Sequence, residues 1–208
     1  GNKMSLWLVR AGGHGEQEQG ALENNIVTIG WNELPDLFNV KTRGELTKLF
    51  NQVHPTAKKR QAASGIGQVW RFVREIQKGD LVVLPLRTQS AIAIGKVEGE
   101  YEYQKLADNI KHIRRVKWLR TIPRSAFDQD ILYSLGSLLT VCQIERNDAE
   151  NRVKKLLQKG EITEVEEEIE IVEEIDIEEY ARDQIVKHIG AKFRGHDLAR
   201  LVDAILHA

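Results

Sequence analysis

Cysteine and proline are scarce in this chain, and long hydrophobic runs are missing. Of 208 residues, one is cysteine and four are proline. A single cysteine, Cys142, excludes an internal disulfide framework and any zinc cluster built on cysteines. No apolar run approaches the ~20 residues that span a bilayer, and no signal peptide is recognisable. We therefore expect a cytoplasmic protein that makes no membrane contact.

Recognisable catalytic patterns are also missing. The six histidines are scattered without metal-ligand spacing, and no His-Glu-x-x-His pattern occurs. Ser64-Gly65-Ile66-Gly67 has the glycines of a phosphate loop but lacks the lysine that such a loop needs. The sequence predicts no catalytic residue, no metal site and no cofactor for this chain.

Charge is divided unevenly along the chain. Residues 1–160 carry 25 Lys and Arg against 17 Asp and Glu, whereas residues 161–208 carry 5 against 14. Residues 161–179 alone hold eleven acids and neither Lys nor Arg. A cationic excess on a globular part suggests an anionic partner such as nucleic acid, because phosphate contacts release counterions. An ordinary solvated surface is the alternative reading of this modest excess.

Hydrophobic patterning predicts short strands with helices inserted between them. The predicted strands are residues 6–9, 26–31, 81–86, 91–97, 116–120 and 140–144. A capping pattern at Thr42 predicts a helix to residue 53, and a second helix is expected after Ser64 and Gly65. A third helix is expected to start at Asn147 and end near Lys159. We expect an α+β fold in the form of a small mixed β-barrel with inserted helices.

Aromatic residues beside cations are the strongest lead toward a function. Trp31 closes an apolar strand and opens a polar turn, where an indole can stack on a base taken out of a duplex. The alternative for Trp31 is a core position. Asp36 is either an acceptor for an exocyclic amine or a turn residue. Lys58, Lys59 and Arg60 are predicted on a loop, and Arg114 and Arg115 belong to a second basic stretch.

Three segments together resemble a known family. They are Trp7-Leu8-Val9-Arg10-Ala11-Gly12, the turn Ile29-Gly30-Trp31-Asn32-Glu33-Leu34-Pro35-Asp36-Leu37, and Gly67-Gln68-Val69-Trp70-Arg71-Phe72 with Lys78-Gly79-Asp80-Leu81-Val82 after it. Their order resembles the EVE-like domain of the PUA superfamily, a relative of YTH domains, as found in Mrr-type, modification-dependent restriction endonucleases. The resemblance covers residues 4–157. Leu84-Pro85-Leu86-Arg87-Thr88 departs from it, because many EVE domains carry Tyr-His-Ser there.

The resemblance implies a DNA-binding reader that flips a modified base, 5-methylcytosine or 5-hydroxymethylcytosine, out of duplex DNA. It implies a pocket with Trp31 as the stacking wall and Asn32 and Asp36 on the base edge. Ser64 and Gly65 would supply backbone amides ahead of a helix, and a further wall would come from Trp70 or Leu86. The implied contacts with the DNA backbone are Lys58, Lys59, Arg60, Arg87, Arg114 and Arg115.

Downstream of this region the sequence resembles the entry helices of an Mrr-type nuclease. We interpret residues 158–179 as an acidic linker and residues 180–208 as truncated nuclease helices, with the catalytic motif and its Mg²⁺ absent from this chain. The chain is therefore expected to be no enzyme by itself, and a homodimer through the nuclease region stays open. Two alternatives also stay open: a YTH-like reader of modified RNA, and a protein-interaction module.

Overall fold

The computed structural model describes residues 3–159, 179 and 182–184 of the chain. The predicted acidic linker and nuclease helices therefore lie almost wholly outside the described residues. Within these residues the strands are β1 (Leu6–Val9), β2 (Ile26–Ile29), β3 (Leu81–Pro85), β4 (Ala91–Ala107), β5 (Ile110–Pro123) and β6 (Val141–Gln143). The helices are α1 (Glu18–Glu23), α2 (Arg43–Val53), α3 (Lys59–Trp70), α4 (Gln129–Ser134) and α5 (Ala149–Lys159).

The strands form one mixed sheet in the order β2-β5-β4-β3-β1-β6. β1 runs parallel to β3, whereas β1–β6, β2–β5 and β3–β4 are antiparallel pairs. The α+β class is confirmed, but the closed barrel is not: β2 and β6 end the sheet and do not pair with each other in the described chain. Closure requires strand tilt and register to agree around the whole ring, and no single strand's alternation encodes that agreement.

The predicted start of α2 is confirmed. The Thr42 side chain accepts a hydrogen bond from the Glu45 N–H at 3.1 Å. The Glu45 carboxylate accepts from the N–H of Lys41 at 3.2 Å, one residue before the position that the capping box predicts. Leu46 and Phe50 form the buried face of this helix, and His54, directly before a proline, ends it.

The predicted start of the second helix is wrong. α3 begins at Lys59, and a π-helical turn at Arg71–Glu75 continues it. Ala62, Gly65, Ile66 and Val69 lie buried on one side of α3. The two glycines suggested a loop, but the burial of that side outweighs their low helix propensity. Ser64 and Gly65 therefore lie inside the helix, where they offer no free N–H groups to a ligand.

The last predicted helix is confirmed in its extent, since α5 ends at Lys159, but not in its cap. Asn147 has a left-handed backbone with φ 58°. Its side-chain amide donates to the hydroxyl of Ser134 at 3.0 Å instead of capping α5. Elsewhere in the described chain, Trp7 is a core residue whose indole N–H donates to Asp80 at 2.9 Å, and the single cysteine, Cys142, is half-buried.

The chain divides into two compact units, Gly1–Ile122 with Leu139–Glu145 and Pro123–Leu138 with Arg146–Ala208. The first holds the whole sheet apart from the final residue of β5, and its larger core cluster joins Trp7, Leu46, Phe50, Val69 and Phe72. In the second unit, Arg152 bonds the carboxylates of Asp128 and Asp130. None of the described helices is long and apolar enough to cross a membrane.

Candidate functional site

A cavity of about 320 Å³ opens in the first unit between the turn after β2 and helices α2 and α3. The turn contributes Trp31, the end of α2 contributes Phe50 and His54, and the following loop contributes Ala57. The α3 helix supplies the remaining wall through Gln61, Ser64, Gly65 and Gln68. The cavity thus combines flat aromatic walls with a few polar groups, as small-molecule sites commonly do.

Gly65 allows the aromatic walls to lie directly against the α3 backbone. A methyl group at this position would lie 2.8 Å from Cζ of Phe50 and 3.3 Å from Nε1 of Trp31. Any larger residue here would have to displace these rings, because real side chains do not approach so closely. The glycine therefore serves the packing of Phe50 and Trp31.

The backbone of Trp31 is strained and is held in place by its neighbours. Its φ of +53° lies in the left-handed region, which a bulky residue rarely adopts. The carbonyl oxygen of Trp31 accepts from the Leu34 N–H at 3.0 Å and from His112 Nε2 at 3.2 Å. The next carbonyl, of Asn32, accepts from Lys111 Nζ at 3.3 Å. These bonds fix the turn that presents the indole.

The imidazole of His112 is the centre of this anchoring. Its Nε2 must carry a proton because the Trp31 carbonyl can only accept, so Nδ1 of the neutral ring is an acceptor. Nδ1 lies 2.7 Å from the hydroxyl of Tyr101, which therefore donates to it. The hydroxyl oxygen in turn accepts from the N–H of Leu37 at 3.1 Å. We call Tyr101 and His112 the turn clamp.

Burial shifts both groups of the turn clamp toward their neutral forms. His112 is 0% exposed, and this desolvation holds its pKa below the ordinary histidine value, although the main-chain carbonyls of Trp31 and Leu34 and the Asp36 charge oppose the shift. Desolvation also raises the pKa of Tyr101 far above its usual range. The hydrogen-bond pattern and the electrostatics thus agree on a neutral clamp.

The polar groups of the cavity differ in what they can still bind. Gln68 is fully used: it donates to the hydroxyl of Ser64 at 3.1 Å, and its oxygen accepts from the Thr140 N–H at 2.8 Å. The hydroxyl proton of Ser64 is left to donate. Nε2 of His54 is buried and has no hydrogen-bond partner among the described residues. Ser64 and His54 are therefore the groups that can meet a polar ligand edge.

Part of the predicted pocket is brought together by the fold. Trp31, Ser64 and Gly65 line the cavity, whereas Asn32, Asp36, Trp70 and Leu86 are not among the described residues that do so. Asp36 accepts from the N–H of Phe38 at 2.9 Å, as expected if it is a turn residue. Trp70 packs against the larger core cluster, and Leu86 belongs to a separate core cluster. Asn32 has a buried side-chain oxygen that no described residue bonds.

The cations predicted to contact the DNA backbone differ in their exposure and in their partners. Lys58, Lys59 and Arg60 are exposed and lie between the cavity residues Ala57 and Gln61; Lys59 and Arg60 belong to α3 instead of the predicted loop. Arg87 is exposed, and its main-chain N–H donates to the buried Glu18 at 2.7 Å. Arg115 is paired with Glu102 at 3.2 Å.

Arg114 cannot serve as a phosphate contact in this structure. It is 2% exposed, and its guanidinium donates to the carbonyls of Phe72, Ile76 and Gly99 at 2.8–3.1 Å. Desolvation lowers its pKa to about 10. A run of basic residues on a strand conceals this inward position, because alternate side chains of a strand point to opposite faces.

Sequence reasoning missed five of the cavity residues, which are Phe50, His54, Ala57, Gln61 and Gln68. A signal did exist for two of them. Phe50 and His54 are four residues apart at the end of α2, and their rings pack at 4.8 Å. Among the described residues, no group of three or more His, Cys, Asp or Glu side chains could hold a metal ion.

The fold and cavity define a mixed α+β domain with an open six-stranded sheet and an aromatic-walled pocket beside two helices. The chain belongs to the family described as a domain of unknown function, DUF8426, which matches residues 6–144. All the cavity residues lie within this match. No curated protein matches the chain.

Proposed function

We propose that this domain reads a modified base, 5-methylcytosine or 5-hydroxymethylcytosine, in duplex DNA by flipping it into the Trp31 cavity. The observation that carries the proposal is the position of a half-buried indole at a cavity of about 320 Å³, whose lining residues Ala57 and Gln61 flank three exposed cations in the chain. This volume lies at the lower end of the roughly 300–1,000 Å³ of typical ligand pockets, as suits a single planar base.

The cavity residues divide naturally into the tasks that such reading needs. Trp31 and Phe50 offer aromatic surface for stacking and for a methyl group. The unpartnered Nε2 of His54, when deprotonated, accepts from the exocyclic amine of cytosine, and the hydroxyl of Ser64 donates to a ring acceptor. Unstacking a base costs a few kcal/mol, which stacking and edge contacts together recover.

We propose further that the fold is of the PUA type and EVE-like, and that the domain is the targeting part of a modification-dependent endonuclease. Support comes from the order of the three resembling segments and from the shared Trp31 turn, which the turn clamp anchors. The chain itself is proposed to have no nuclease activity and no cofactor. Its partner is duplex DNA that carries a modified base.

Binding to four otherwise identical duplexes at one salt concentration tests this function. They carry cytosine, 5-methylcytosine, 5-hydroxymethylcytosine or N6-methyladenine at one position. We expect tighter binding of a modified-cytosine duplex. Trp31→Ala should remove most of that preference, because stacking is worth ~1–3 kcal/mol per base. Phe38→Ala is the matched control, since Phe38 is an exposed aromatic residue in the segment after Trp31 that does not line the cavity.

Three results would decide against the reader. Equal affinity for all four duplexes would reject modified-base recognition. Preference for single-stranded RNA in the same assay would favour a YTH-like RNA reader. Absence of nucleic-acid binding even at low salt would favour a protein-interaction module. Lys58→Ala with Lys59→Ala should weaken all duplexes alike and reduce the salt dependence, because phosphate contacts carry no sequence information.

A further inference from the structure

A second feature of α3 lies just beyond the cavity, at Gly67. A methyl group here would lie 3.3 Å from Nη2 of Arg43 and 3.6 Å from Nη1 of Arg71. The two guanidinium groups therefore converge on one point of the helix. Gly67 leaves that point open, since a side chain would occupy the space between them.

The two arginine side chains are not neutralised by the protein. In the described part of the chain, the guanidinium groups of Arg43 and Arg71 make neither a hydrogen bond nor an ion pair. Arg74, in contrast, donates to the carbonyls of Phe38 and Val40, and Arg152 is held by two carboxylates. Two like charges held close together repel each other, so an uncompensated pair is most stable with an anion between its members.

We infer that Arg43 and Arg71 form a binding site for a phosphate group of the DNA backbone. Planar guanidinium groups suit the several acceptor oxygens of a phosphodiester better than point-charge lysines do. Arg43 also opens α2, where the N–H groups of the first turn carry partial positive charge. Neither arginine was among the cations that the sequence singled out as backbone contacts.

The location connects this phosphate site with the cavity. Gly67 lies two residues after Gly65, which is about 3 Å further along the axis of α3. Positions two apart on a helix point roughly 200° apart around its axis, so Gly67 does not share the face of Gly65. Ser64, which lines the cavity, precedes Gly67 by three residues and is its neighbour on the surface of α3. A nucleotide whose base occupies the cavity therefore has its backbone within reach of the arginine pair. The inference rests on the proposed function in taking DNA as the source of the phosphate.

The test uses the unmodified duplex, whose binding needs no base flipping. Affinity is measured across a series of salt concentrations for the full chain and for Arg43→Ala with Arg71→Ala. We expect the double variant to bind roughly tenfold more weakly at low salt. The slope of log K against log salt should shrink by about 0.9 for each phosphate that the variant no longer neutralises.

Two further variants make the result specific. Lys96→Ala with Lys117→Ala removes the same charge from exposed positions on β4 and β5 and should change the slope by less. Arg43→Lys with Arg71→Lys keeps the charge but removes the planar donors, so the slope should persist while the affinity falls. Unchanged urea unfolding would show that the alanine variants fold, because neither guanidinium bonds the described protein.

The outcomes separate the phosphate site from the reader. An arginine-dependent slope without any preference for modified cytosine supports the phosphate site and rejects the reader. A preference for modified cytosine with a slope that the arginine variants leave unchanged, or change no more than the lysine control, overturns the phosphate site and keeps the reader. A wild-type chain that binds no duplex overturns both.

Discussion

At the scale of single residues, Trp31 combines backbone strain with anchoring. A left-handed backbone in a bulky residue costs of order 1–3 kcal/mol and persists only where the surroundings determine it. The surroundings here are the turn clamp of Tyr101 and His112, which holds the Trp31 carbonyl and the Leu37 N–H. A turn fixed in this way would need little reordering to receive the proposed base, which would lower the entropic cost of binding.

The turn clamp makes the stability of the domain depend on acidity. The pKa of His112 is lowered in the folded state, so below the unfolded value of about 6.5 the unfolded chain binds a proton that the folded chain does not. The contribution of His112 is therefore complete above about pH 6.5 and is lost as the pH falls through that value toward the folded pKa. Asp36 and Lys111 act on the ring with opposite signs.

We expect the free energy of unfolding to fall more steeply from pH 7 to pH 5 in the wild type than in His112→Gln. The difference should reach at most about 1.4 kcal/mol per pH unit, the limit for one proton. Urea unfolding at several pH values measures it. The other five histidines are common to both proteins, so their contributions cancel. Parallel pH profiles would contradict a neutral, buried His112.

At the scale of elements, two helical glycines show opposite environments. Gly44 in α2 has its nearest neighbour, Oγ1 of Thr42, 3.9 Å from the position of an added methyl group. Gly65 in α3 has Phe50 at 2.8 Å from the same position. Helix propensity alone treats the two glycines alike, whereas packing separates them.

Alanine at these two glycines should therefore change stability in opposite directions. Gly44→Ala should raise the free energy of unfolding by about 0.5–1 kcal/mol through helix propensity. Gly65→Ala should lower it, because overpacking costs roughly 1–3 kcal/mol and exceeds that gain. Urea unfolding gives both values. Gly65→Ala should also reduce the proposed preference for modified cytosine. An equal stabilisation by both variants would show that the rings of Phe50 and Trp31 move aside at little cost.

At the scale of the whole molecule, the uneven distribution of charge along the chain says more about the proposed DNA binding than the net charge does. The formal net charge is −1, yet residues 161–179 hold eleven of the chain's 31 acids. Net charge sets how strongly a protein is attracted to a polyanion at low salt, and salt screens this attraction. We therefore expect the acidic run to oppose the proposed non-specific binding of DNA by the cationic part.

Neutralising four acids in this run should raise the affinity for unmodified duplex at low salt. Replacing Glu164, Glu166, Glu167 and Glu168 by glutamine moves the formal net charge from −1 to +3. The effect should fade as salt rises and the Debye length shortens to ~8 Å at 0.15 M. Titrations at low and at moderate salt measure it. An effect that is absent at low salt would indicate that these carboxylates lie out of range of the bound DNA.

The sequence by itself determined the elements whose causes are local. The Thr42 cap, the end of α2 before Pro55 and the buried strands at β1 and β3 follow from neighbouring residues, and they were predicted correctly. The mixed α+β class follows from them as well. The strand before Trp31 was also readable from its apolar residues, although it ends at Ile29, two residues earlier than predicted.

Only the tertiary structure decided what depends on residues far apart in the chain. It placed Arg114 inside the core and brought Arg43 and Arg71 together at Gly67. It also kept the sheet open and put Phe50 and His54 across from Trp31. The physical reason is that burial, pairing and hydrogen bonding at these positions are set by partners 15 to 81 residues away, as for the bonds of Arg114 and His112. Local propensity contains no information about such partners.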